Sequence, residues 1–183
     1  TKTHPSLKDY GFDDPTVDYT LLVVHSDDLD IVGEKKADLD YIATRLHDRF
    51  KITYGDPQFM LGLKRVVAED GKSVEITQQA YIEGMVNDFS AAVAKKRVPT
   101  TPFPPGLYLS KPAADQIDVK ESKHVLKDLE YMCLTGGLLW ASRMTFFECA
   151  VGCHYLTRLL ATPTLEAYNA GIHMLAYMNA NKS

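Results

Sequence analysis

Hydrophobic and polar positions follow two periods in this chain, and the change from one to the other organises it. Residues 1–18 are polar, with Leu7, Tyr10 and Phe12 as anchors and Asp13-Asp14-Pro15 as a turn signal. From Tyr19 to Gly33, two short apolar runs flank a tight polar pair. That pattern predicts a buried β-hairpin with strands at about 19–25 and 29–33 and Asp27-Asp28 at its tip. Helical spacing then takes over between Glu34 and Phe50, where Leu39, Ile42, Ala43, Leu46 and Phe50 recur on one face. Strands are predicted at Lys51–Tyr54 and Phe59–Val67. A return strand, Ser73–Thr77, follows a turn carrying the Asp70-Gly71 signal. A helix from Gln78 to about Phe89 presents Tyr81, Ile82, Met85, Val86 and Phe89 on one side.

Past residue 95 the pattern changes. Residues 98–118 hold Pro99, Pro102, Pro104, Pro105 and Pro112 and few periodic apolar positions, as expected of a linker with extended structure. From Glu121 onward the spacing is helical throughout, in runs at about 123–143, 145–161 and 164–180. The expected class is α+β: a mixed portion at 1–95, a Pro-rich linker at 96–120 and an all-helical portion at 121–183.

Composition narrows the function classes. A chain of 183 residues, 45% hydrophobic, can bury a real core and suits one domain with at most a small extension. No apolar run approaches a membrane span, and the N-terminus lacks a signal-peptide pattern. The first residue is Thr rather than Met, so the chain reads as a fragment or processed product. Three cysteines in a chain this large suit a reducing, intracellular compartment better than a disulfide scaffold. Net charge is −4, divided unevenly: residues 1–95 carry 11 basic and 17 acidic side chains, residues 96–183 carry 9 and 7. A free-standing nucleic-acid binder usually shows a basic domain or stripe. Contact with nucleic acid would here be local, metal-assisted or shared with another part.

Two constellations carry candidate chemistry. Adjacent carboxylates between hydrophobic strands repel each other, and a divalent cation with oxygen ligands relieves that repulsion. Asp27-Asp28 therefore has two readings, a cation site or a turn that uses Asp for its backbone geometry. Cys149 and Cys153 lie one helical turn apart beside His154, with Cys133 and His173 elsewhere. They also fall on the apolar stripe with Ala150, Leu156 and Leu160, and the core reading is favoured over a zinc site. Gly136-Gly137 lacks the preceding strand and the following Lys of a phosphate loop, and within a helix it permits close packing.

The order of the pieces resembles the C-terminal half of the reverse transcriptase of copia-type LTR retrotransposons. Gly11-Phe12 with Asp14-Pro15 is similar to the segment before that family's catalytic hairpin, and Leu22–Gly33 to its hydrophobic-Tyr-Val-Asp-Asp-hydrophobic-Gly motif. Phe59–Leu63 resembles its Phe-Leu-Gly strand, and Ile76–Ile82 its Ser-Gln-x-x-Tyr-Ile helix start. Pro99–Pro102 matches the Thr-Pro of the linker, Tyr131–Arg143 the helix that runs from Tyr through Gly to Arg, and Leu175–Met178 the closing Leu-x-Tyr-Leu. The resemblance spans nearly the whole chain, and its weight lies in the colinear order.

The resemblance implies a partial polymerase palm at 1–95 and a thumb- or connection-like helical region at 121–183. It makes Asp27 and Asp28 catalytic, metal-binding carboxylates, Asp27 the stronger ligand. The implied chemistry is nucleotidyl transfer with Mg²⁺, on an RNA or DNA template-primer with dNTP. Lys64 and Arg65 would contact backbone phosphates near the primer end, or else are solvated edge residues. Three features depart from the family pattern. No apolar strand with a further metal-binding Asp precedes Asp27, so the chain is not expected to polymerise alone. His25-Ser26 replaces Tyr-Val, and Asp30 replaces an apolar residue on the same side of the strand as Asp28. The alternative expectation is a catalytically inactive, retrotransposon-derived structural or interaction subunit of a larger assembly.

Overall fold

The computed structural model describes residues 20–26, 28–33, 35–53, 59–69 and 72–182. Its fold is mixed α+β, with helices and small antiparallel sheets. Two compact units divide it, Thr1–Leu61 and Gly62–Ser183, whereas the sequence pattern puts its first change near residue 95.

In the first unit, β1 (Leu21–His25) pairs antiparallel with β2 (Asp28–Val32), from Leu21 opposite Val32 to His25 opposite Asp28. Ser26 follows β1 in the left-handed region (φ +52°), the backbone state that short hairpin connections require. Apolar residues on both faces of these strands predict burial, but Leu21 and Val24 are 61% and 60% exposed. The expectation of a buried hairpin is therefore corrected for this unit. A two-stranded ribbon offers each residue one lateral neighbour, and among the described residues α1 (Lys36–Phe50) alone cannot cover two faces. The helix carries Asp38 in its first turn and Arg49 in its last, the arrangement its dipole favours. A Cβ at Gly33 would lie 3.2 Å from Leu39 of α1 and 3.0 Å from the Thr20 hydroxyl, so the end of β2 and the helix approach closely.

The strand predicted at Lys51–Tyr54 does not form over Lys51–Thr53, and Tyr54 lies outside the described residues. Lys51 is left-handed (φ +55°) and closes α1, and His47 Nδ1 lies 2.6 Å from the Ile52 carbonyl oxygen. The single strand predicted at Phe59–Val67 is interrupted. Leu61 (φ +54°) and Gly62 (φ +75°) turn the chain between β3 (Phe59–Met60) and β4 (Leu63–Val67). Nothing lies within 4 Å of a Cβ built at Gly62, so its use there is conformational.

The second unit opens with β4 paired to β5 (Val74–Thr77). The helices that follow are α2 (Gln79–Asp88), α3 (Ser90–Val93), α4 (Val119–Lys127), α5 (Tyr131–Met144), α6 (Ala150–Thr157) and α7 (Leu165–Ala180). The run predicted at 123–143 is thus two helices. Asp118 starts the first by accepting from the Lys120 and Glu121 amides at 2.9 and 3.1 Å. The His124 carbonyl ends it by accepting from both Asp128 and Leu129, and Glu130 (φ +50°) redirects the chain.

The core lies among α2, α5, α6 and α7, where Ile82, Leu134, Leu138, Leu156, Leu175 and Met178 are fully buried. Small residues let these helices approach. A Cβ at Gly171 would come within 2.9 Å of Leu134, and one at Gly137 would meet Met85 and the Tyr81 hydroxyl. Gly136 faces open space, so close packing rests on its neighbour. The Tyr131 hydroxyl donates to the Leu156 carbonyl at 2.9 Å, and its phenol is pushed up to about 12 by burial.

The Pro-rich segment expected as a linker packs as a strap on the helices. Phe103 lies near Tyr155 (ring centroids 6.1 Å) and over Gly152, where a Cβ would meet its ring. Leu109 is buried, and His173 Nε2 sits 3.0 Å from the Thr101 carbonyl oxygen. No described helix is long and apolar enough to cross a membrane.

Candidate functional site

The acidic hairpin is the first candidate. Strand register places His25 opposite Asp28 and Val23 opposite Asp30. Facing residues share a side and alternate residues along a strand do too, so His25, Asp28 and Asp30 belong to one face. Asp28 and His25 are exposed and Asp30 is half-buried. The backbone thus keeps Asp28 and Asp30 on the same side, as the alternation predicts. Asp27, the stronger ligand implied by the resemblance, lies outside the described residues.

Whether a divalent cation suits this face depends on donor number. Mg²⁺ takes oxygen ligands at about 2.0–2.1 Å in near-octahedral order and is usually held by one or two carboxylates plus substrate phosphates and waters. Asp28 supplies the right kind of oxygen. Among the described residues, no three His, Cys, Asp or Glu side chains converge on a common point, His25, Asp28 and Asp30 included. The described residues alone do not make a Mg²⁺ site, and a complete one would need Asp27 and oxygens from beyond them.

Lys64 and Arg65 are adjacent on β4, opposite Thr77 and Ile76 respectively, so they point to opposite faces of the β4–β5 ribbon. Lys64 is exposed and Arg65 half-buried. Only one of the two can address a ligand on a given face. They belong to the second unit and the hairpin acids to the first.

The cysteines take the core role that their apolar stripe suggested. Cys149 and Cys153 are fully buried, and the Cys153 thiol lies 3.4 Å from the Met174 sulfur. Burial first, then the charge of Glu148, pushes the Cys149 thiol up to about 12, and burial also raises Cys153. Cys133 is exposed. Iodoacetamide at pH 8 is therefore expected to modify one thiol of the folded chain and three after denaturation. Peptide mass mapping that found Cys149 or Cys153 alkylated under native conditions would contradict the packing described.

Two features were not legible beforehand. Gln78, just before α2, is 2% exposed and joins α2 to α5. With its amide oxygen accepting from Trp140 Nε1 at 3.3 Å, its nitrogen donates to Thr145 Oγ1 at 2.7 Å and to the Ala141 carbonyl at 3.2 Å. The Gln-Gln pair in the sequence carries no sign of which member turns inward. The second is the exposed set Lys120, Lys123 and Lys127 on α4, which Glu121 and the flanking Asp118 and Asp128 offset in a charge count.

No protein-family model matches this chain, and no solved structure does. The chain is similar to the retrovirus-related Pol polyprotein from transposon TNT 1-94 of Nicotiana tabacum. The two are 27% identical over 186 residues, which cover 97% of this chain and 14% of that protein. The chain thus corresponds to a small part of the length of that relative.

Proposed function

We propose that this chain is part of a copia-type reverse transcriptase, comprising a partial palm with the Asp27-Asp28 hairpin and a helical thumb- or connection-like region. The observation that carries this reading is the colinear order of the motifs, within a likeness that extends over 97% of the chain. On this reading the hairpin presents Asp27 and Asp28 at its tip, where Mg²⁺, when bound, would supply Lewis-acid stabilisation of the phosphoryl group. The partners are an RNA or DNA template-primer, dNTP and the remainder of the polymerase. Lys64 would meet backbone phosphate from the exposed face of β4.

A second reading has its own support. The helical unit closes a core from its own helices and strap, as a structural or interaction subunit requires. His25-Ser26 and Asp30 also depart from the family's hairpin. Primer extension separates the two. The longer protein containing this segment is expected to extend a primer with Mg²⁺ and to lose at least about 10²-fold in rate with Asp27→Asn, the scale on which a group that stabilises transition-state charge matters. This chain alone is expected to give no extension. Equal rates for the parent and Asp27→Asn would remove the catalytic reading and leave the structural one.

A further inference from the structure

A cavity of about 570 Å³ opens in the helical unit where the end of α2, the turn after α3, the turn between α4 and α5 and the start of α7 meet. Its volume lies in the range of sites that take drug-sized ligands. Phe89, Leu129 and Tyr168 give it an apolar side. All three belong to the core or pack against it, so that side is set by the packing of the helices.

Opposite charges share the rest of the wall. Lys95 and Lys96 come from the turn after α3, Asp128 and Glu130 from the turn between α4 and α5, and Asp88 from the end of α2. They do not neutralise one another. Among the described residues Lys95, Asp88 and Glu130 make no ion pair. Asp128 Oδ2 pairs with His124 Nδ1 at 2.8 Å, and Lys96 Nζ reaches the neutral Asn169 Oδ1 at 3.5 Å. Both keep spare capacity, since a carboxylate accepts on two oxygens and an ammonium carries three donors. Glu130 is also held against its own backbone preference. It is left-handed (φ +50°, ψ +42°) and its side chain caps nothing in α5. That conformation is unfavourable for a residue with a Cβ, and strain of this kind collects at ligand clamps.

We propose that this cavity binds a zwitterionic peptide of about two residues. Its ammonium group meets Glu130 and Asp128, its carboxylate meets Lys95 and Lys96, and its apolar side chains lie against Phe89, Leu129 and Tyr168. The charged ends of an extended dipeptide are about 7 Å apart at roughly 3.3–3.6 Å per residue, so one molecule serves two groups of opposite charge that do not touch. Both ends make charge-assisted hydrogen bonds. The last carbonyls of α4 add to the ammonium side, because they carry the negative end of the helix dipole. A ligand of one sign fits less well. An anion alone would meet three carboxylates, and a cation alone two ammonium groups. The inference goes beyond the polymerase reading and uses none of its residues.

The test is calorimetric titration of the full chain with the dipeptide leucyl-phenylalanine, alongside its N-acetyl and C-amide forms. Saturable binding is expected for the free dipeptide at low salt, weakened about tenfold when either end is blocked. The variant Lys95→Gln, Lys96→Gln is expected to weaken the free dipeptide by about the same factor and to leave the C-amide form unchanged. Damage to the fold would weaken both alike. Glu130→Gly removes the carboxylate and the left-handed strain together. It should unfold at about the parental denaturant concentration, lose about tenfold in affinity for the free dipeptide and bind the N-acetyl form as the parent does. Absence of saturable binding at millimolar free dipeptide would overturn the proposal. So would equal affinity for the free and blocked forms, or variants that weaken all three peptides equally.

Discussion

Leu134→Ala is expected to destabilise the helical unit by about 2–5 kcal/mol, the range for a fully buried leucine whose cavity only partly collapses. The same site allows a sharper measurement. Leu134 packs against Gly171 of α7 so closely that a Cβ there would meet its terminal methyl at 2.9 Å. Gly171→Ala alone sets a helix-propensity gain of about 1 kcal/mol against crowding of Leu134, and is expected to be nearly neutral. In the Leu134→Ala background the crowding disappears and the new methyl occupies part of the vacated space. Gly171→Ala should then stabilise by about 1 kcal/mol or more, a coupling that denaturant unfolding of all four proteins would reveal. Additive effects would mean that α5 and α7 do not approach as closely as described.

Gln78→Glu is the second large effect. The substitution keeps the shape of the side chain and removes the amide donor that serves Thr145 and the Ala141 carbonyl. At neutral pH it also buries a carboxylate with no cation among the three groups that face it. An unsatisfied buried polar group costs about 1–3 kcal/mol and a charged one more, so a loss of about 3 kcal/mol or more is expected at pH 7. The sign of the pH dependence follows from burial. Desolvation raises the carboxyl pKa in the folded state above its unfolded value. The deficit relative to the parent should therefore be smallest below the unfolded pKa of about 4.3 and should grow as pH rises through the folded one. Gln78→Leu, which loses the hydrogen bonds without burying a charge, should cost less and show no such dependence. A deficit for Gln78→Glu that was flat with pH would indicate that position 78 reaches water.

Much of the local structure is determined by sequence alone. Two short apolar runs specify the β1–β2 hairpin, the Asp70-Gly71 signal lies between β4 and β5 in the sequence, and the 3.6-residue spacing specifies α1, α2 and α7 within a few residues. Each follows from interactions between neighbours in the chain, which a linear pattern records. The stripe bearing Cys149 and Cys153 was legible in the same way, because a buried helix face is a periodic property.

Tertiary structure decided what depends on distant partners. A pattern of apolar residues on two faces calls for burial, but exposed Leu21 and Val24 show that burial needs a second surface, which the described residues of the first unit do not supply. The Pro-rich segment lacks any period, and only Phe103, Leu109 and the His173 contact make it a packed strap. Breaks at Leu61 and at Glu130 reflect left-handed backbone at residues other than glycine, which composition does not announce. Charge was hidden most completely. Asp118, Glu121 and Asp128 balance the lysines of α4 in a count, and only the fold turns them to a cap, an amide and a histidine, leaving Lys120, Lys123 and Lys127 to solvent.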